Sequence, residues 1–318
     1  MSLGHGYSHT AYDMVEKLRL PAIARLERLT IAGARLGELI EAHGQPVLQL
    51  FEFFVLVEKL FAERSTRRLY LRASEPDLEE CQRLRRNLTE ANLVASDRDY
   101  GSRVIRVLGI SDVTADQIST MLDPTCCISH LSAMQRWGLT NRRPKALHLT
   151  RPARDAAKKI FQAHHADFYR AHPDAPYKPS LVSHPAVVRG RPLELVQAGN
   201  GAASLVSRSD GVRVATLGQT FLDMLLRPSL CGGMGHVLDV WTEHAEAHLE
   251  DIVKAVNAAP TAIAKVRAGY ILSERLRISH STVESWKALS QRGGSRVLDP
   301  DHPFAPIFSE TWMLSLNV

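Results

Sequence analysis

One stretch constrains this chain more than any other: residues 126–145, in which a helical apolar pattern runs straight into a basic loop. Ile128, Leu131, Met134, Gln135 and Trp137 recur at helical spacing. Cys126 or Ser129 can cap the start, and Gly138 stands where a left-handed helix stop is expected. The pattern therefore predicts a buried helix that hands Arg142, Arg143 and Lys145 to the surface.

Charge placement sharpens this. The formal net charge of +5 is modest, but it is unevenly spread. Residues 1–110 carry 16 basic and 15 acidic groups, residues 111–180 carry 10 and 6, and residues 181–318 carry 13 and 13. Between residues 136 and 159 there are eight Lys or Arg and one acid, Asp155. Such a run is either an electrostatic footprint for phosphates or an acidic partner, or a solvated face.

Several classes are excluded. The longest apolar stretch, 47–60, is broken by Gln49, Glu52, Glu58 and Lys59, so it is not a membrane span, and the first residues lack a signal-peptide layout. The expected location is the cytoplasm. Four cysteines, Cys81, Cys126, Cys127 and Cys231, have neither the spacing of a zinc site nor that of a disulfide scaffold. No phosphate loop or nucleophile elbow occurs, and residues 232–235 fail the dinucleotide fingerprint. His244 and His248 lie four apart on an expected helix, but no third ligand accompanies them. Ser129 and His130 are expected at adjacent helical positions, pointing about 100° apart, and so not as a working pair. Arg292, Arg296 and the intervening glycines read as a turn or, alternatively, an anion-binding nest.

In chain order, Leu36, Leu39 and Ile40 mark a helix that stops near Gly44, and Pro46 is expected to open a second helix reaching Phe61. Residues 67–71 (RRLYL) read as a short strand. A third helix follows, with Leu78, Cys81, Leu84 and Leu88 inward and Arg83, Arg86 and Asn87 on the other face. Residues 93–108 read as a hairpin whose tip is flanked by Arg98 and Arg103. Helix, helix, strand, helix and basic hairpin is the order of a winged helix, whose third helix enters the DNA major groove while the wing touches the backbone or minor groove. Arg67, Arg68, Arg83, Arg86, Asn87, Arg98 and Arg103 are thus the expected DNA-facing set. Glu79, Glu80 and Glu90 on the same helix oppose it.

The remainder reads as alternating elements. A helix ends before Pro124, a strand is expected at 145–149, and a helix at 152–165 has Ala156, Ala157, Ile160 and Phe161 inward. Short strands follow at 186–188, 193–196, 203–206 and 212–216, and then helices to residue 276. The expected fold class is α+β, with a winged helix-turn-helix domain at 1–110 and a larger mixed α/β domain at 111–318, joined through 111–150.

Residues 111–124 (SDVTADQISTMLDP), the run Ile128-Ser129-His130-Leu131-Ser132-Ala133-Met134 and then Gly138-Leu139-Thr140 resemble the joining segment of AbiEi-type antitoxins of type IV toxin–antitoxin systems. Trp137 stands where many members have His. Leu222-Asp223, Pro228 and Gly232-Gly233 are similar to a later part of that family, although Gly218-Gln219-Thr220 replaces its Arg-Thr. So are residues 267–272, 292–300 and 312–317. The resemblance implies an autorepressor bound to double-stranded operator DNA, and with the catalytic motifs missing no enzymatic activity, cofactor or metal is expected. It also implies a C-terminal domain that counters a nucleotidyltransferase-type toxin, with or without touching it. Arg142, Arg143 and Lys145 would extend the DNA contact or meet a partner. Two alternatives stand beside it: a nucleic-acid-processing enzyme using Asp223, Asp239, Glu243 and Asp251, or a protein-interaction module without DNA binding.

Overall fold

The computed structural model describes residues 29–66, 68–198, 206–209, 211–291 and 296–318. The protein is α+β and divides into two compact units. The smaller comprises residues up to 113 together with 165–180, and the larger comprises 114–164 and 181–318. The return of 165–180 to the first unit was not foreseen from the sequence.

In the smaller unit, α1 (Ile31–His43) is capped by Thr30, whose side chain accepts from the Gly33 N–H, and closes on Gly44 at φ 73°. The sequence places a helix start at Pro46, but the chain stays extended as β1 (Val47–Gln49). The reason is local: Gln49 and Glu52 form a reciprocal capping box, which fixes the start of α2 (Leu50–Ala62) after Gln49. Val47 and Leu48, both buried, then pair in a sheet. The strand expected at residues 67–71 is absent over 68–71, and Arg67 lies outside the described residues.

Asp77 caps α3 (Leu78–Glu90), accepting from the Glu80 N–H. The wing is β2 (Val94–Asp97) and β3 (Gly101–Val107), and the sheet order β1-β3-β2 is antiparallel throughout. Cys81, Leu84 and Leu88 of α3 join Phe53, Leu56, Val57 and Leu60 of α2 in one core. Segment 165–180, containing α7 (Ala166–Ala171), closes over it: Phe168 meets Phe51 edge-on at 5.2 Å, and His172 Nδ1 lies 2.9 Å from Glu58 Oε2.

The larger unit starts with α4 (Ala115–Leu122), capped by Thr114. Next come β4 (Cys127–Ile128), α5 (His130–Arg136), β5 (Leu147–Arg151) and α6 (Arg154–His164), the last helix before α7. Residues 127 and 128 are a strand rather than helix, and Gly138 ends α5 at φ 72°, as expected. On α6 only Ala157 and Phe161 are buried, whereas Ile160 is 45% exposed. Then come β6 (Val187–Val188), β7 (Arg191–Gln197), β8 (Val206–Ser209) and β9 (Val212–Ala215). The strand expected from residue 203 has its first residues outside the described set. The mixed sheet runs β6-β7-β5-β4-β9-β8, with β5 parallel to β7 and β4 parallel to β9.

Helices α8 (Leu217–Leu226), α9 (Met234–His244), α10 (Leu249–Ala258), α11 (Ala262–Gly269, continued as a π-helical turn, Tyr270–Arg275) and α12 (Ser281–Ser285) build the second core around Phe221, Trp241, Trp286 and Trp312. A two-stranded ladder, β10 (Phe308–Ser309) with β11 (Leu314–Ser315), follows. Among the described residues, no helix is long and apolar enough to cross a membrane.

Candidate functional site

On α3, three side chains expected to read DNA have different duties. Arg83 folds back on Glu80, with Nε 2.7 Å from Oε2 and Nη2 2.5 Å from Oε1. Glu80 is only 3% exposed, and these bonds hold its carboxyl below the usual range. Asn87 Oδ1 accepts from the Thr30 N–H at 3.2 Å and the Thr30 hydroxyl at 3.0 Å, joining α3 to the start of α1. Arg86 alone of the three is exposed. Glu79 and Gln82 are exposed as well, seven and four residues before Arg86, so the three share one face.

Around α3, Arg68, Arg72 and Arg103 are exposed, and among the described residues no ion pair engages their side chains. Arg98, at the wing tip, pairs loosely with Asp112 at 3.4 Å while remaining 65% exposed. Sequence reasoning passed over Arg85, which clamps the wing onto α3 by donating to the Ser102 carbonyl at 3.0 Å and to Ser96 Oγ at 3.3 Å. Arg83, Arg85 and Arg86 look alike in sequence, and only packing separates them.

The basic run 136–159 is not one surface feature. Arg136 pairs with Asp116 at 3.2 Å, Arg151 is bound to Asp123, and Arg142 donates to the Gly232 carbonyl at 3.2 Å. Arg143 and Lys145 precede β5, whereas Arg154, Lys158 and Lys159 follow it, all exposed. The two groups join opposite ends of a strand that spans roughly 17 Å at about 3.3 Å per residue.

The larger unit also contains a cavity, lined in part by Ser129, His130, Thr150, Gln219, Asp223 and Arg227. Here the sequence expectation for Ser129 and His130 fails. Ser129 is not helical but the extended N-cap of α5, and His130 takes φ 50°, a left-handed conformation uncommon outside glycine. This turn brings Ser129 Oγ to 2.8 Å from His130 Nδ1, and the Thr150 hydroxyl donates to Ser129 Oγ at 2.7 Å. Burial, with the charges of His148 and Arg227, pushes His130 down to about 3. Asp223, on α8, accepts from Gln219 Nε2 at 2.8 Å. Burial raises its carboxyl to about 7, against the opposing effects of Gln219, Arg227 and the His130 N–H.

Asp123, Cys126 and His184 gather in the way metal ligands do. The Asp123 carboxylate, however, already receives Arg151 Nε at 2.9 Å, Cys126 Sγ at 2.7 Å and the Thr125 hydroxyl at 2.6 Å. Burial works against this charge, but hydrogen bonds from His184, Cys126 and Thr125 and the Arg151 charge outweigh it, keeping Asp123 below the carboxylate range. Burial and Asp123 push the Cys126 thiol up, away from the thiolate a metal needs. The cluster therefore pins the α4–β4 turn to β5. Of the four carboxylates in the enzymatic alternative, Asp223 alone lines the cavity. His244 ends α9 and His248 precedes α10, so the two histidines do not share a helix. Arg292 and the glycines of the suggested nest lie outside the described residues.

Fold and site together define a two-unit α+β protein with a winged-helix unit and a larger unit holding a cavity of mixed polar and apolar lining. Among solved structures, the chain is similar to the RV2827C protein from Mycobacterium tuberculosis, with a TM-score of 0.50 and 12% identity, over 90% of this chain and 91% of that one. That likeness is one of fold. No protein-family model matches the chain, and no curated protein matches it.

Proposed function

We propose that this chain is a DNA-binding transcriptional regulator of the antitoxin kind. Its winged-helix unit would sit on double-stranded operator DNA, and its larger unit would counter a nucleotidyltransferase-type toxin without performing catalysis itself. The observation that carries the DNA reading is the exposed stripe of Glu79, Gln82 and Arg86 on α3, with Arg68, Arg72 and Arg103 exposed around it. Glu, Gln and Arg are side chains that pair with cytosine, adenine and guanine edges in the major groove. Glu79, the acid of this stripe, thus fits base reading, while the flanking arginines fit phosphates. The antitoxin part rests on the resemblance of residues 111–140 and 222–233 to the AbiEi-type family. Exposed Arg143 and Lys145 are available to an acidic partner or to DNA.

The test is fluorescence anisotropy with duplex DNA from upstream of the chain's own gene. Arg86→Glu combined with Arg103→Glu is expected to weaken binding about a hundredfold, since each lost contact is worth roughly 1–3 kcal/mol. Wild-type affinity in a folded double variant would remove the assignment.

A further inference from the structure

The cavity in the larger unit has no part in the DNA reading, yet it is a built site. It measures about 90 Å³, well above the roughly 10–15 Å³ that admits a single water. Its lining combines polar Ser129, Thr150 and Gln219 with apolar Val196, Ala215 and Leu226. Ser129 Oγ receives the Thr150 hydroxyl and lies 2.8 Å from His130 Nδ1, which leaves Nε2 as the His130 ring atom open to a ligand. That Nε2 has no hydrogen-bond partner among the described residues. Arg227, exposed just past the end of α8, supplies the positive charge.

We propose that this cavity binds a small oxyanion, a carboxylate or a phosphate-like group. Arg227 meets its charge, and His130 Nε2 and the Asp223 carboxyl donate to its oxygens. A carboxyl can donate only while protonated, and Asp223 is held to about 7. The groups acting on Asp223 are Gln219, Arg227 and the His130 N–H, and its nearest thiols, Cys127 and Cys231, are both pushed up by burial and stay neutral. Asp223 is thus the group in the cavity that changes charge near neutral pH. Anion binding is strongest below about pH 7 and falls about tenfold per pH unit above it, as an ionised Asp223 repels the ligand.

The test is calorimetric titration of the full chain with sodium propionate and, separately, sodium sulfate. Neither probe titrates between about pH 6 and about pH 8.5, the two conditions compared at matched ionic strength. At least one probe is expected to bind at the lower pH and to weaken at least tenfold at the higher. Preference for propionate marks a carboxylate ligand, and preference for sulfate a phosphate-like one. Arg227→Gln, at an exposed position, weakens binding about tenfold at the lower pH. Asp223→Asn, nearly isosteric, binds equally at both. No binding of either probe at the lower pH overturns the proposal, as does binding that Arg227→Gln leaves unchanged. The readout is independent of DNA, so the failure of either reading leaves the other standing.

Discussion

Arg83 and Asp223 show how far a residue's partners alter its chemistry. Arg83→Ala removes two charge-assisted bonds and leaves the buried Glu80 carboxylate without them. The expected loss is about 1–3 kcal/mol of unfolding free energy, read from the denaturant midpoint, with DNA affinity of the folded protein little changed. An unshifted midpoint would refute this role. Asp223 and His130 make opposed pH contributions. Asp223 is raised from about 3.9 to about 7, so the folded state holds the extra proton and gains stability as pH falls from about 7 to about 4. His130 is depressed from about 6.5 to about 3, so stability is lost as pH falls through that range. Between about pH 4 and 6.5 the two nearly cancel. Asp223→Asn exposes the histidine term: its stability should fall by at most about 1.4 kcal/mol per pH unit on acidification in that window, more steeply than the wild type. Parallel curves for the two proteins would contradict the assignment.

Elements whose ends depend on neighbours in sequence were legible from the sequence. Gly44 and Gly138 act within one helical turn, and the structure places both just past helix ends at positive φ. β1 was not legible, because Val47 and Leu48 become a strand only by pairing with Arg106 and Ile105 of β3. The helical duty of Gly218 is likewise a matter of packing. A Cβ there would lie 2.2 Å from the Asp251 carbonyl oxygen, where α8 crosses α10. Gly218→Ala should therefore lower the melting temperature, at a cost of roughly 1–3 kcal/mol, despite the better helix propensity of alanine. A raised melting temperature would show that the two helices can separate without cost.

For the whole molecule, the net charge of +5 leaves affinity to a few placed arginines. If Arg68, Arg72 and Arg103 each neutralise one phosphate, log affinity should fall against log salt with a slope of about −3, by roughly 0.9 per phosphate. Arg103→Glu should reduce that slope by about 1, whereas a slope unaltered by this change would place the wing off the backbone. The sequence by itself determined the α+β class, the order of helices ahead of the wing, and the glycine stops at Gly44 and Gly138, because periodicity and capping act over a few residues. Tertiary structure alone decided which arginine of α3 stays free, how the basic run divides about β5, and that Ser129, His130, Asp223 and Arg227 share one cavity. Those outcomes turn on burial and on side chains distant in sequence, whose desolvation and hydrogen bonding set their charge only once the core has closed.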